Sequence, residues 1–197
     1  MKIYLASGSP RRKQLMELVG IKCEVIVTNV DEPIEGDASS LVRKLSMQKN
    51  AAACEILKKG LCEEIIVISA DTLVSIDGVV LEKPSSHEDA FSMLKMLSGK
   101  KHTVFTGVTI TKLSGGDVLQ NVFVESADVF FRDLTNDEIN AYINTGEPFD
   151  KAGAYGVQEK GALLVEKVHG DFYTVVGLPI AKVGYALSEL GVDLWTE

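Results

Sequence analysis

Short continuous apolar runs alternate along the chain with segments whose apolar positions recur every three or four residues. The first pattern marks strands buried on both faces, the second amphipathic helices. Lys2–Ala6 (KIYLA) reads as a short buried strand. Ser9 and Pro10 look like the cap and first position of a helix whose buried stripe is Leu15, Leu18 and Val19. A polar loop around DEPIEGDAS precedes a helix from about Ser40 through residues 51–53 (AAA) to Lys59. EEIIVISAD is an apolar run ending on an acid, which predicts a buried strand that stops at Asp71. LVSIDGVVLE reads as a hairpin with Asp77-Gly78 as its turn.

SSHEDAFSMLKMLSG carries a capping box at Ser86 and Asp89 or a neighbour, an apolar stripe, and Gly99 just past its end. HTVFTGVTITKL and VLQNVFVESADVFF are strands joined by SGGD. Thr135 and Glu138 form a second capping box, for a helix that stops at Gly146. GALLVEKV and FYTVVGL read as strands on either side of HGD, and Pro179 opens a last helix running to Gly191. There is no internal repeat and no low-complexity linker. Strands and helices alternate irregularly, so the expected fold is α/β with a mixed central sheet and flanking helices, not a doubly wound parallel one.

Composition narrows the class. With 197 residues, 46% hydrophobic and 24% charged, the chain suits a soluble globular protein of one domain or two closely packed lobes. A formal net charge of −8 argues against non-specific binding to nucleic acid or anionic membranes, which needs clustered bases. Cys23, Cys54 and Cys62 are odd in number and lack C-x-x-C spacing, as expected of reduced thiols. His87, His102 and His169 lack ligand spacing, so no zinc site is expected. The apolar start is too short for a signal peptide and no run approaches a membrane span, so the expected location is cytoplasmic.

Against this acidic background one basic cluster stands out. Arg11, Arg12 and Lys13 fall in the first turn of a helix, where the macrodipole disfavours exposed cations by roughly 0.3–1 kcal/mol each. A phosphate would resolve the conflict. The turn offers Ser7 and Ser9 hydroxyls, orphan N–H groups and two arginines, an anion receptor in all but the anion. The alternative is that the bases splay into solvent. The stretch is not a P-loop, since neither G-x-x-x-x-G-K-[ST] nor G-x-G-x-x-G occurs.

A second stretch, VISADTLVSIDGVVLEKP, places Asp71 where α/β sheets hold ligands, with Glu82 and Lys83 closing the hairpin after it. Asp71 either works in a site or caps a turn through Thr72. Asp31-Glu32 and Lys49 are further acidic and basic candidates. Carboxylates, bases and an anion receptor together suit Mg²⁺-dependent phosphoryl chemistry. In GEPFDKAGAYGVQEKG, Asp150, Lys151, Tyr155 and Gln158 lie in a loop longer than a connection needs. The Gln158 amide pairs a donor with an acceptor, as a base edge does; the alternative is an ordinary surface loop.

The strings LASGSPRRKQL, VDE, VRKLSMQKNAA, SADT, LEKP, LSGKKHTVFTGV, EPFDKAGAYGVQ and VVGLP occur in this order over almost the whole chain. As an ordered set they resemble the Maf family of nucleoside triphosphate pyrophosphatases. The resemblance implies a single domain over 1–197, with two lobes around a groove, as in the inosine triphosphate pyrophosphatases. It implies hydrolysis of the α–β phosphoanhydride to a nucleoside monophosphate and pyrophosphate, with Mg²⁺ or Mn²⁺. Asp71 is then the catalytic proton acceptor. Ser7, Ser9, Arg11, Arg12, Lys49 and Lys83 hold the triphosphate, and Glu32 joins Asp71 at the metal.

The same resemblance bears on the base. The branch acting on dTTP and UTP carries SPRR, ADT and AYG-x-Q, matched here by Arg11, Thr72 and Gln158. The branch acting on 7-methyl-GTP carries SPWRR, SDQ and another loop. Two departures are Ser69, where Gly usually precedes the ADT motif, and Glu159-Lys160 after the glutamine. Family members are also linked to inhibition of septum formation, which implies a cell-division partner as an alternative role, and homodimers are expected.

Overall fold

The computed structural model describes residues 1–30, 36–58 and 63–195. Glu32, Cys62 and the helix end expected at Lys59 lie outside the described residues. Among the described residues seven strands form one sheet: β1 (Lys2–Ala6), β2 (Glu24–Val25), β3 (Ile65–Ile76), β4 (Val79–Leu81), β5 (Lys101–Ser114), β6 (Asp117–Phe131) and β7 (Val165–His169). Their order is β2-β1-β3-β5-β6-β7, with β4 paired to β3. β1 runs parallel to β2 and β3, whereas the β3–β4 and β6–β7 pairs are antiparallel, so the sheet is mixed as expected. The helices are α1 (Pro10–Leu18), α2 (Ala38–Leu57), α3 (His87–Leu97), α4 (Asn136–Ile143), α5 (Phe172–Val176) and α6 (Ile180–Glu189).

The chain divides into two compact units. One comprises Met1–Asp71, Thr106–Glu125 and Gly177–Glu197; the other comprises Thr72–Phe105 and Ser126–Val176. In the first, the alanine-rich face of α2 buries Ala53 and Cys54 with Ala6, Ile65, Val67 and Leu113. Close approach of α2 to β5 depends on Gly107, where a Cβ would stand 2.3 Å from the Val42 carbonyl oxygen. In the second, α3 and α4 bury Leu94, Leu97, Ile139 and Ile143 with Phe131 and Tyr155.

Local chemistry explains most boundaries. Asp77 and Gly78 both adopt positive φ, 51° and 81°, as a two-residue hairpin turn requires. The Thr135–Glu138 capping box forms in both directions. At α3, Ser86 accepts from the Asp89 N–H, while the Asp89 carboxylate turns back to Ser85 rather than Ser86. Four expectations are corrected. Residues 161–164 (GALL) close a 3₁₀ turn, Glu159–Leu164, and the strand expected from Gly161 begins only at Val165, because the Lys160 and Gly161 N–H groups donate to the Glu147 carboxylate. Phe172–Val176 is helix, not strand, because Asp171 accepts from the N–H groups of Tyr173 and Thr174 and from the Thr174 hydroxyl. Three such bonds outweigh the β preference of FYTVV. On α1 the buried face is Arg12, Leu15 and Met16, whereas Leu18 and Val19, at its C-terminal end, are exposed. β3 also does not stop at Asp71 but continues to Ile76, since the apolar run resumes at Leu73 and pairs with β4.

Within the second unit, His102 and the core residues Phe131 and Tyr155 pack edge to face, with ring centroids 4.7–5.3 Å apart. His102 Nε2 lies 2.8 Å from the Tyr155 hydroxyl, and its Nδ1 is buried without a protein partner. Burial holds the imidazole pKa down at about 4, against the opposing pull of Asp128. The unfolded chain therefore takes up this proton near pH 6.5 and the folded chain only near pH 4. Stability from this group is complete above pH 6.5 and is lost on acidification to pH 4, by about 3 kcal/mol in total. Urea unfolding across this window reads the slope; in His102→Gln the slope should flatten, and an unchanged slope would assign it to other groups.

Candidate active site

The turn after β1 is tied together by Ser7 and Arg12. Ser9 is the N-cap of α1 but makes no side-chain capping bond; its N–H donates instead to Ser7 Oγ at 3.2 Å. Arg12 does not splay into solvent. It is 9% exposed, with Nη1 donating to Ser7 Oγ at 2.9 Å and Nε to the Gly177 carbonyl at 2.8 Å. Arg11 beside it is half-buried, while Lys13 turns outward to Glu17, four residues on. Within α1 itself no acidic residue stands in the first turn.

Asp71 emerges next to this turn. The parallel register pairs Ala6 with Ser69, so Ser7 and Asp71 lie just past the last pair of adjacent strands. Lys49, on α2, donates to Asp71 Oδ1 at 2.5 Å, with the two side chains 16% and 10% exposed. A carboxylate this buried needs a compensating charge, and the ammonium supplies it.

What holds Lys49 there is a polar seam between α2 and the sheet. Asn50 Nδ2 donates to the carbonyls of Val67 (2.9 Å) and Thr109 (3.1 Å), and its Oδ1 accepts from Thr111 Oγ1. Ser69 Oγ donates to the Ser46 carbonyl at 2.8 Å, and Ser46 Oγ meets Thr109 Oγ1 at 3.0 Å. Ser69, noted in the sequence only as a departure, thus ties β3 to α2 two residues before Asp71. Asn50 and Ser46 escaped the sequence reading too. The available signal was two polar residues on the buried period of α2, at the positions of Leu41, Val42, Leu45 and Ala53.

Of the residues singled out from the sequence, the first unit thus brings together Ser7, Ser9 and Arg12, and separately joins Lys49 to Asp71. Thr72, Lys83 and Gln158 belong to the second unit. Thr72 is half-buried within β3, Lys83 is exposed after β4, and Gln158 is exposed before a 3₁₀ turn at Glu159–Leu164. Among the described residues no three His, Cys, Asp or Glu side chains gather around a metal position. Asp71 is a hard oxygen donor of the kind Mg²⁺ and Mn²⁺ take, and Glu32 lies outside the described residues. No helix among the described residues is long and apolar enough to cross a membrane.

Comparison with known proteins identifies the family. A dTTP/UTP pyrophosphatase of Caldicellulosiruptor saccharolyticus is 46% identical over 194 residues, covering 98% of this chain and 96% of its own. One of Thermosipho africanus is 49% identical, over 98% of this chain and 95% of its own, and one of Thermotoga maritima is 48% identical, over 97% and 90%. Among solved structures, the Staphylococcus aureus Ham1 protein aligns over 68% of this chain and 73% of its own, with a TM-score of 0.40 and 15% identity. The fold class rests on the strand pairing above, not on that superposition. The sequence model of the family described as Maf-like protein matches residues 2–190, a span that takes in the turn after β1, the Lys49–Asp71 pair and the Gln158 loop, and the chain belongs to that family.

Proposed function

We propose that the protein hydrolyses nucleoside triphosphates, dTTP and UTP together with modified pyrimidine analogues, to the monophosphate and pyrophosphate, in a nucleotide-pool house-cleaning role. The observation that carries this reading is the buried Lys49–Asp71 pair set beside an anion-receptive helix start. A protein that only bound nucleotides, for instance a regulator of septum formation, would have no need of a buried acid there.

In the proposed mechanism Ser7, Ser9, Arg11, Arg12, Lys49 and Lys83 hold the triphosphate and stabilise charge as it shifts to the leaving group. Lys49 fixes one Asp71 oxygen, and a carboxylate has a second acceptor oxygen to take the proton of the attacking water. A phosphorus–oxygen bond forms to that water oxygen as the α–β anhydride bond breaks, and pyrophosphate leaves with the bonding pair. A divalent cation held by Asp71 and Glu32, Mg²⁺ or Mn²⁺, would supply charge neutralisation. Arg11, Thr72 and Gln158 select the base.

The test is pyrophosphate release with Mg²⁺ across dTTP, UTP, CTP, GTP, ITP and 7-methyl-GTP. Turnover of dTTP and UTP should exceed that of the purines by about tenfold or more in kcat/KM. Preferred turnover of purines would remove base selection from Arg11, Thr72 and Gln158. Tight binding without turnover of any of them would overturn the enzymatic reading.

A further inference from the structure

Gln158 lies between two tethered ends of a loop, and neither tether belongs to the proposed chemistry. At the near end the Gly156 N–H donates to the Tyr142 hydroxyl at 3.2 Å. At the far end the Glu147 carboxylate takes two backbone donors, Lys160 N–H at 3.2 Å on Oε1 and Gly161 N–H at 3.3 Å on Oε2. The ends also touch, since a Cβ on Gly161 would stand 2.0 Å from the Gly156 carbonyl oxygen and 2.8 Å from the Tyr142 hydroxyl.

Glu147 is itself held. Its carbonyl accepts from Lys151 Nζ at 2.7 Å, and the Lys151 side chain packs over Gly156. Tyr142 is buried in the core on α4, and burial, reinforced by the Glu147 carboxylate, pushes its hydroxyl pKa up, so that it stays a neutral partner. Between the tethers the backbone is strained: Glu159, directly after Gln158, adopts φ 55°, a conformation that a residue with a side chain keeps only when its surroundings impose it. The bonds to Lys160 and Gly161 are what the structure offers to impose it.

We propose that Glu147 is a positioning residue for base selection: by holding the Lys160 and Gly161 amides, its carboxylate fixes the backbone path that presents the Gln158 amide. The proposal rests on Gln158 reading the base. Glu147 touches no substrate in this scheme. It acts through the loop, so its loss changes which nucleotide is accepted rather than how fast the anhydride breaks.

A double-mutant cycle tests this, with kcat and KM measured for dTTP and GTP in Glu147→Ala, Gln158→Ala and the double variant. Gln158→Ala should lower the dTTP-to-GTP ratio of kcat/KM about tenfold. Glu147→Ala should lower it about fivefold through KM, with kcat little changed, and should add nothing in the Gln158→Ala background. Glu147→Gln, which keeps one acceptor oxygen, should recover part of the ratio. Hydrogen exchange at the Lys160 and Gly161 amides should speed up in Glu147→Ala. If Glu147→Ala does not fold, Glu147→Gln and Tyr142→Phe carry the same comparison. A ratio unchanged by Glu147 variants but lowered by Gln158→Ala, or fully additive effects, would overturn the positioning role and leave base reading intact. A ratio unchanged by Gln158→Ala would overturn base reading itself, and the proposal with it.

Discussion

Without divalent cation Asp71→Asn should bind dTTP about as tightly as the parent enzyme, and with Mg²⁺ it should release pyrophosphate about a thousandfold more slowly. Asparagine matches aspartate in shape, so β3 and its register with β1 have no reason to shift. What is lost, in the proposed mechanism, is the proton acceptor. The Lys49 ammonium, paired with Asp71 at 2.5 Å in the parent, also loses its anionic partner, and its charge becomes more available to phosphate. Affinity should hold or rise while kcat collapses, the signature of an interaction made in the transition state. Calorimetric titration and a pyrophosphate-release assay on the same preparation separate the two quantities. Turnover within about tenfold of the parent would remove Asp71 from the chemistry, because a positioned general base contributes on the order of a hundredfold or more.

Gly107→Ala should be a costly change for stability despite adding only a methyl group. The added methyl group would lie 2.3 Å from the Val42 carbonyl oxygen, 2.5 Å from its carbon and 2.8 Å from the Arg43 nitrogen. All three are backbone atoms of α2, so no side-chain rotation makes room and the helix must lift from β5. The expected loss is about 3 kcal/mol or more, at the upper end for overpacking. The same displacement would pull on the seam of Ser46, Asn50, Ser69 and Thr109, and with it on Lys49. Activity should therefore fall together with the urea midpoint. A variant within about 1 kcal/mol of the parent would show that α2 has slack at this contact, and would weaken the view that the seam places Lys49.

Where each feature can be read depends on the distance along the chain over which its cause acts. The Asp77-Gly78 hairpin, the Thr135–Glu138 box and the Ser9-Pro10 helix start rest on bonds or dihedrals within a few residues, so residue identities alone determine them. The mixed α/β character followed from the same local signals, and the ordered motifs pointed to the family. The strand expected at FYTVVGL failed for a local reason as well: β-branched and aromatic residues outvoted one aspartate, although Asp171 makes three short-range bonds.

The site is otherwise. Lys49 and Asp71 are 22 residues apart, and Arg12 is 165 residues from the Gly177 carbonyl that orients it. Periodicity counted α1 outward from Leu15 to Leu18 and Val19, but the buried face is residues 12, 15 and 16, with Arg12 bonded to the remote Gly177 carbonyl. The sequence by itself determined which groups were available: an acid in an apolar run, bases at a helix start, a glutamine in a glycine-rich loop. Only the tertiary structure decided which of them meet, because strand register and the seat of α2 on Gly107 set those distances, and both depend on contacts between segments remote in the chain.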